Sequence, residues 1–327
     1  MHTYNGNISF FCHCSDLIGL GHLRRCTRII QTLQENFGLG THLHVQGEKL
    51  NLPWFSGKVT WYKNDSLLQQ AFSSEKSPVL IIDFQLKSIK LKTWQSLLDQ
   101  QHLRGTKLIA LDQLSPLSDH VDKVFVPSFF SDSRSDNILY GWENYLFLPQ
   151  PNKPVNPPYI LVLTGGSDAL KFGDYLPDIL DDTIPHKYKI YWLKGPLAPP
   201  PRLAPTSRIK VLDPVPDAQD LISGASAIIS SYGTALYESI TSGAAVLLLP
   251  CNGLVSQKEV QALKYEDVCL IAETQEDIKH QLHTLTHHSS LIDILKNNAL
   301  EKGSRIQGLK NLSEMVVSLL DNIPQNS

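Results

Sequence analysis

A short segment that combines two glycines with a histidine is the part of this chain best suited to chemistry. Residues 18–26 spell I-G-L-G-H-L-R-R-C, after an apolar run at 8–11 and at the start of a helical pattern. Gly19 and Gly21 allow a strand to turn sharply into a helix, and they let a ligand approach the backbone. His22 would lie in the first helical turn, where free N–H groups and the positive end of the helix dipole favour anions. The segment therefore predicts an anion site with a histidine beside it.

His22 is the candidate for a general base. The field that attracts an anion disfavours an imidazolium, so we expect a neutral ring that can accept a proton at neutral pH. A base beside an anion site suits reactions of phosphorylated or nucleotide-activated substrates. The alternative is a histidine that only caps the helix or fills the core, and the segment alone leaves both open.

Two further glycine loops lie in the second half of the chain. Residues 164–168 spell T-G-G-S-D after an apolar run, and Gly165, Gly166 and Ser167 offer bare backbone and a short hydroxyl to a diphosphate. An ordinary turn between a strand and a helix is the alternative. The segment therefore predicts a phosphate contact only when it is considered together with the other glycine motifs of the chain.

The loop at residues 230–238, S-S-Y-G-T-A-L-Y-E, carries a stronger signal. Gly233 and Thr234 would open a helix and present N–H groups and a hydroxyl to a phosphate. Glu238 lies four residues after Thr234 on the same helical face, and its two oxygens can accept bonds from both ribose hydroxyls. The pattern predicts nucleotide binding, with a capped helix and a solvated glutamate as the alternative.

The elements that must position these loops alternate between short apolar runs and amphipathic ones. This alternation predicts parallel sheets covered by helices on both faces. The helix after the first loop should bury Leu23, Cys26, Ile30, Leu33 and Phe37, and should end near Asn36, Gly38 or Gly40. Strands are expected at 8–12, 42–46, 79–83, 107–111 and 123–126, and then at 159–163, 188–193, 208–212, 227–230, 245–249 and 268–271.

A run rich in proline separates the two halves. The segment 149–158 spells P-Q-P-N-K-P-V-N-P-P, a density of prolines that forbids a helix and favours an extended connector. We therefore expect a Rossmann-like domain at 1–150, a linker at 151–158 and a nucleotide-binding domain at 159–327. Ligands of open parallel sheets lie beyond the carboxyl ends of the strands, so the expected site is the cleft between the domains.

Composition narrows the class of protein. A net charge of −3 over 327 residues argues against nucleic-acid binding. No apolar run approaches the roughly 20 residues that cross a bilayer, and no leader pattern opens the chain. We therefore expect a cytoplasmic protein without an integral membrane segment, and a monomer. The five cysteines should be reduced and buried, and the Cys12-His13-Cys14 motif lacks a matching second pair, so it should be structural. No metal and no cofactor are expected.

Taken together and in order, these segments resemble the nucleotide-sugar hydrolase family of pseudaminic acid biosynthesis, within the GT-B glycosyltransferase-like superfamily. The family's I-G-x-G-H-x-x-R-C corresponds to residues 18–26, its G-G-S-D to 165–168, and its glycine loop with a downstream glutamate to 231–238. The resemblance covers nearly the whole chain. It implies an α/β fold of two Rossmann-like domains that face each other across a cleft.

The resemblance also implies roles for individual residues. His22 would act at the anomeric carbon of a UDP-sugar, the backbone near Val215 would contact the base, and Glu238 would bind the ribose. The remaining binding positions are those that would face the phosphates or the rest of the substrate: Gly19, Gly21, Arg25, Gly165, Gly166, Ser167, Ser231, Gly233, Thr234 and Gln257.

Three positions depart from the family pattern. Gln85 replaces a tyrosine that follows the aspartate at the end of a strand, Ser256 replaces the asparagine of an Asn-Gln pair, and Tyr232 replaces a smaller residue. The positions expected to bind the nucleotide thus keep the family pattern, whereas positions expected to contact the sugar differ from it.

Three functions are compatible with this pattern. The first is a hydrolase that releases UDP from an amino-deoxy nucleotide sugar in nonulosonic-acid or surface-glycan biosynthesis, with His22 taking a proton from water. The second is a glycosyltransferase in which His22 deprotonates an acceptor hydroxyl. The third is a nucleotide-sugar-binding partner subunit without turnover.

Overall fold

Two compact α/β units make up the structure, a computed structural model that describes residues 7–15, 18–133 and 135–322. The first unit comprises Met1–Phe147 and Ile306–Ser327, and the second comprises Leu148–Arg305. Each unit is built on a parallel sheet, as the alternation of apolar and amphipathic runs predicted.

The first unit has a sheet with the order β3-β2-β1-β4-β5-β6-β7 over the residues described, and every adjacent pair is parallel. Its central strands are apolar and buried, because helices cover both faces. The strands are β1 (Asn7–His13), β2 (Gly40–Gln46), β3 (Lys58–Tyr62), β4 (Val79–Asp83), β5 (Lys107–Leu111), β6 (Lys123–Phe125) and β7 (Ile138–Leu139). The helices that precede β7 are α1 (Gly21–Phe37), α2 (Asp65–Ser74) and α3 (Leu91–Leu103).

Helix α1 follows the glycine–histidine segment, as predicted. Leu23, Cys26, Ile30 and Leu33 are buried on one face, whereas Phe37, at the last position, is only half-buried. The helix ends because Gly38 adopts a left-handed conformation with φ 64°, from which its N–H donates to the carbonyl of Gln34.

The second unit has the sheet order β10-β9-β8-β11-β12-β13, again with parallel pairs throughout its described strands. Its strands are β8 (Tyr159–Leu163), β9 (Lys189–Leu193), β10 (Ile209–Leu212), β11 (Ala227–Ser230), β12 (Ala245–Leu248) and β13 (Leu270–Ile271). Its helices are α4 (Leu176–Thr183), α5 (Gln219–Gly224), α6 (Thr234–Thr241), α7 (Gln257–Tyr265), α8 (Gln275–His287) and α9 (Ser289–Ser304).

The last helix, α10 (Gly308–Asp321), belongs to the first unit, whereas the sequence assigned all of 159–327 to the second. Three of its apolar residues, Leu309, Leu312 and Val316, are buried. A β-carbon at Gly308 would collide with the backbone of Asn144 and Tyr145, so the helix start packs closely on that segment of the first unit. This packing joins segments far apart in the sequence, and no local pattern encodes it.

The proline-rich segment is not a free connector. The side-chain amide of Asn152 donates to the carbonyls of Ile222, Ser223 and Ala225 at the end of α5. The division between the units falls between Phe147 and Leu148, so the segment belongs to the second unit.

Strands β3 and β7 were not predicted, and several predicted strands end one or two residues from their observed limits. Among the helices that the structure describes, none has both the length and the apolar character that a membrane-spanning helix needs.

Candidate functional site

Three neighbouring strands of the first unit bring polar residues together at their carboxyl ends. His22 is the second residue of α1, which follows β1, while Asp83 is the last residue of β4 and Asp112 directly follows β5. Since β1, β4 and β5 are adjacent and parallel, their carboxyl ends meet at one edge of the sheet. This edge is where α/β sheets of this kind bind ligands.

His22 is held by a buried carboxylate. Its Nδ1 lies 2.7 Å from Oδ1 of Asp83, whose side chain has no exposed surface. A carboxylate only accepts hydrogen bonds, so Nδ1 of His22 carries the proton and donates it. Nε2 is then the basic nitrogen of the ring, fixed in tautomer and orientation.

Arg25 keeps this carboxylate ionised. Nε of Arg25 donates to Oδ2 of Asp83 and Nη2 donates to Oδ1 of Asp83, each at a distance of 2.7 Å. Nη2 also donates to Oδ2 of Asp112 at 2.7 Å. Burial acts to raise the pKa of Asp83, but the charge of Arg25 and the hydrogen bonds from Arg25 and His22 outweigh it and hold that pKa well below its usual range.

Arg25 was expected to contact the substrate, but in the structure it holds other residues of its own unit. Its guanidinium bonds two carboxylates there, so it supports the Asp83–His22 pair. Its contact with substrate stays a prediction.

Asp112 adopts a strained backbone conformation. Its φ of 60° lies in the left-handed region, which residues other than glycine rarely adopt. Such strain concentrates at functional sites, where surrounding contacts hold it in place. Here the bond from Arg25 to Asp112 is one such contact.

The glycine positions of the first loop face open space. Gly19 has φ 80°, and nothing in the described residues lies within 4 Å of a β-carbon built at Gly19 or Gly21. In the part of the chain that the structure describes, no side chain caps α1 at its N-cap residue, Leu20. The first-turn N–H groups are therefore arranged as an anion site would need.

The donor set around His22 does not suit a metal ion. His22, Asp83 and Asp112 lie close enough to hold one, but the guanidinium of Arg25 already bonds both carboxylates. A cation placed there would meet this positive charge. The expectation of a reaction without metal stays a prediction.

The Cys12-His13-Cys14 motif is buried, and among the described residues neither of its cysteines forms a disulfide. Nδ1 of His13 lies 3.0 Å from Oγ of Ser88, and its ring packs on Phe84. Burial lowers the pKa of His13 to about 4, so this ring is neutral.

In the second unit, two predicted phosphate loops lie side by side. Strands β8 and β11 pair with Leu163 opposite Ser230, so the loops that follow them emerge together. Gly165 has φ 86°, and a β-carbon there would lie 3.4 Å from Oγ of Ser231. Gly166 and Ser167 continue the first loop with partly exposed surfaces.

Helix α6 begins at Thr234, as predicted. Gly233 is its N-cap residue with φ 149°, and a β-carbon there would meet nothing within 4 Å in the described chain. Thr234 is exposed, and Glu238 is partly exposed one turn further on. The arrangement matches the one inferred for phosphate and ribose, although these roles remain predictions.

Asp168, in contrast, holds its own loop. Its carboxylate accepts the backbone N–H groups of Phe172 and Gly173, at 3.0 and 2.8 Å. The remaining predicted positions lie elsewhere in the second unit. Val215 is in the loop between β10 and α5, and Gln257 is the exposed first residue of α7, with its amide donating to Asn252.

Two of the three departures from the family pattern are connected through one glutamate. Oγ of Ser256 caps α7 by accepting the backbone N–H of Glu259 at 3.2 Å. Oε1 of Glu259 accepts the hydroxyl of Tyr232 at 2.6 Å. The third departure, Gln85, begins a turn in which its carbonyl accepts the hydroxyl of Ser88.

Sequence reasoning missed Asp83 as the partner of His22, and it missed Asp112 and Glu259 altogether. Two signals were available in the printed sequence, because Asp83 and Asp112 each lie at the end of an apolar strand. Neither signal shows which strands are neighbours.

Comparison with known proteins supports the resemblance. No profile of a known protein family matches the chain. A Helicobacter pylori protein named pseudaminic acid cytidylyltransferase and UDP-2,4-diacetamido-2,4,6-trideoxy-beta-L-altropyranose hydrolase is 24% identical over 318 residues. The match covers 92% of this chain and 54% of the relative, so the chain spans about half of that protein's length.

Solved structures resemble the fold over nearly its full length. Acinetobacter baumannii MurG superposes with a TM-score of 0.64 and 14% identity, covering 96% of this chain and 99% of that one. A Staphylococcus aureus MnaA–UDP co-structure gives a TM-score of 0.64 and 12% identity, covering 95% of each chain. The predicted GT-B-like α/β fold is thereby confirmed, because the chain shares the fold of both structures over nearly its whole length.

Proposed function

We propose that this protein is a nucleotide-sugar hydrolase that releases UDP from an amino-deoxy UDP-sugar. The observation that carries the proposal is the orientation of His22 by Asp83, with Nδ1 and Oδ1 2.7 Å apart, at the ligand-binding edge of a parallel sheet. The hydrolase named in the similar H. pylori protein supports the substrate class and the link to nonulosonic-acid biosynthesis.

The second unit is proposed to bind the nucleotide. Glu238 would accept both ribose hydroxyls, and the backbone near Val215 would contact the base. The diphosphate would lie against the two adjacent loops and the start of α6, where N–H groups offset its charge. Gln257 is assigned to the sugar, and the residues of these loops are Gly165, Gly166, Ser167, Ser231, Gly233 and Thr234.

The first unit is proposed to supply the base. Nε2 of His22 takes a proton from water while the water oxygen forms a bond to C1 of the sugar. The bond between C1 and the phosphate oxygen breaks, and UDP leaves with the electron pair. The products are UDP and the free sugar.

Asp83 and Arg25 orient His22 without taking its proton. As His22 becomes an imidazolium, the ionised carboxylate of Asp83 stabilises the new charge. The two hydrogen bonds from Arg25 keep Asp83 ionised and fixed. Gly19 and Gly21 leave room for the substrate in front of the helix start.

Glycosyl transfer is the alternative, favoured by the likeness in fold to glycosyltransferases such as the calicheamicin enzyme CalG4, at a TM-score of 0.61. In that reaction Nε2 of His22 would take its proton from an acceptor hydroxyl. The contacts among Tyr232, Ser256 and Glu259 alter the region that the family uses for the sugar, which leaves a binding subunit without turnover as the third outcome.

One screen separates these functions. UDP-, GDP- and CMP-sugars are incubated with the purified protein without an acceptor, nucleotide release is measured, and the sugar product is identified by NMR. UDP release at a rate well above the His22→Asn variant supports the hydrolase. Release that requires an added acceptor supports transfer, and tight UDP binding with no release supports a binding subunit.

A further inference from the structure

A second cluster of ligating side chains lies in the first unit and shares no residue with the site around His22. His42 and His44 are two positions apart on β2, so they project from the same face of the sheet. Their ring centroids are 3.9 Å apart. Glu75, the residue that ends α2, lies against them.

His44 is buried with one nitrogen unsatisfied. Its residue is 4% exposed, and within the described chain its Nε2 has no hydrogen-bond partner. The ring is fixed by stacking on Phe11, with centroids 4.4 Å apart, and Nδ1 lies 2.8 Å from the hydroxyl of Tyr62. Nε2 points to Oε2 of Glu75 at 3.4 Å, a distance too long for a strong bond between them.

Glu75 presents a single oxygen to this nitrogen. Its Oε1 accepts the backbone N–H of Lys76 at 2.8 Å, and the N–H and hydroxyl of Ser77 at 3.0 Å each. These bonds fix the carboxylate and leave Oε2 directed at His44.

Two imidazoles and one carboxylate form the ligand set that zinc uses at three-ligand sites with an open fourth position. His42, His44 and Glu75 bring this set together at one place in the first unit.

We propose that His42, His44 and Glu75 bind a divalent transition-metal ion, with Zn²⁺ as the ion that best matches the donors. Their ligand atoms lie within 4.8 Å of one another. A tetrahedral zinc with Zn–N distances of about 2.0–2.1 Å separates its ligand atoms by roughly 3.3 Å, so the side chains need to approach one another by up to about 1.5 Å.

The surroundings provide outer contacts of the kind that orient metal-bound histidines. With Nε2 of His44 on the metal, its Nδ1–H would donate to the hydroxyl oxygen of Tyr62. Binding through Nδ1 of His42 would keep the 2.8 Å contact of its Nε2 with Oγ1 of Thr60. The ion would join β2 to the end of α2 and leave its fourth position to water.

The test measures metal binding by the purified full chain. Protein stripped with chelator and kept reduced is dialysed against Zn²⁺, and bound metal is counted per chain. We expect one ion in the wild type. Two variants each remove one proposed ligand: His42→Ala, at a partly exposed position, and Glu75→Gln, which retains an acceptor at Oε1. Each should weaken metal binding by at least about 10–100-fold, because that is the loss when only a residue hydrogen-bonded to a ligand is removed.

An exposed histidine pair provides the matched control. His283 and His287 on α8 stack with centroids 4.3 Å apart, so they are the obvious competing surface site. His283→Ala should leave binding unchanged, and Zn²⁺ should raise the melting temperature of this control and the wild type but not of His42→Ala. Absence of binding in the wild type, equal binding by His42→Ala and Glu75→Gln, or loss in His283→Ala would overturn the proposal.

Cobalt gives a test that needs no variant. Co²⁺ in the proposed site has only nitrogen and oxygen ligands, so its visible spectrum should show tetrahedral bands without a thiolate charge-transfer band. A thiolate band would assign the ion to a cysteine and refute the site.

Discussion

Replacing His22 by asparagine tests the proposed mechanism directly. Asparagine cannot serve as a base at neutral pH, and loss of a general base costs about 10²–10⁴-fold in rate. This corresponds to about 2.7–5.4 kcal/mol in the activation barrier. We expect UDP release per folded molecule to fall within this range.

The structure limits what else the change can do. Asp83 keeps both bonds from Arg25, and an asparagine amide at position 22 can still donate to it. The unfolding free energy should therefore fall by no more than about 1 kcal/mol, the net value of one hydrogen bond. UDP affinity should be unchanged, because the proposed nucleotide contacts all belong to the second unit.

Turnover, UDP affinity by calorimetry and melting temperature are measured on one preparation of the variant. Near wild-type turnover together with a lowered melting temperature would refute the catalytic role and leave His22 as a structural residue. Asp83→Asn is the companion variant. It removes a buried charge that Arg25 and His22 both contact, so it should lower turnover and also lower the unfolding free energy by about 3–5 kcal/mol.

Four further outcomes are expected. Glu238→Ala should weaken UDP binding by about 1–3 kcal/mol, and unchanged affinity in calorimetry would remove the ribose assignment. Tyr232→Phe, which deletes the hydroxyl bonded to Glu259, should lower the unfolding free energy by about 1 kcal/mol in urea titrations; no change would show that this bond contributes nothing. Turnover should persist in excess EDTA, and a loss that Mg²⁺ or Mn²⁺ restores would contradict a reaction without metal. Because the pKa of His13 is about 4 in the folded chain and about 6.5 when unfolded, the unfolded chain takes up protons first as pH falls. Stability is thus lost between these values, by about 2 kcal/mol at pH 5 from this residue; His13→Gln should show a pH dependence smaller by that amount, and an equal one would contradict the argument.

Local patterns predicted the elements that carry their own signal. Helix α1 and its end at Gly38 follow from apolar spacing and from a glycine that accepts positive φ. Strands β4, β5, β8 and β11 appear with their expected limits because their apolar runs have clear boundaries.

Local patterns could not predict features that depend on contacts between segments far apart in the sequence. The contact between His22 and Asp83 exists because β4 lies beside β1, although β2 and β3 come between them in the chain. The glycine–histidine segment therefore indicated a base and an anion site, but not the carboxylate that fixes the base. The role of Glu259 likewise arises only when the start of α7 meets Tyr232.

The membership of α10 in the first unit has a consequence for how the protein is made. The chain leaves the first unit after Phe147 and returns to it at Ile306, so the second unit is a continuous insertion within a discontinuous one. During synthesis the second unit can fold as soon as Arg305 has left the ribosome, whereas the first must wait until α10 has also emerged. A nascent chain stalled before α10 would expose the surface that buries Leu309, Leu312 and Val316. The unit that carries His22 is therefore begun before the second unit and completed after it.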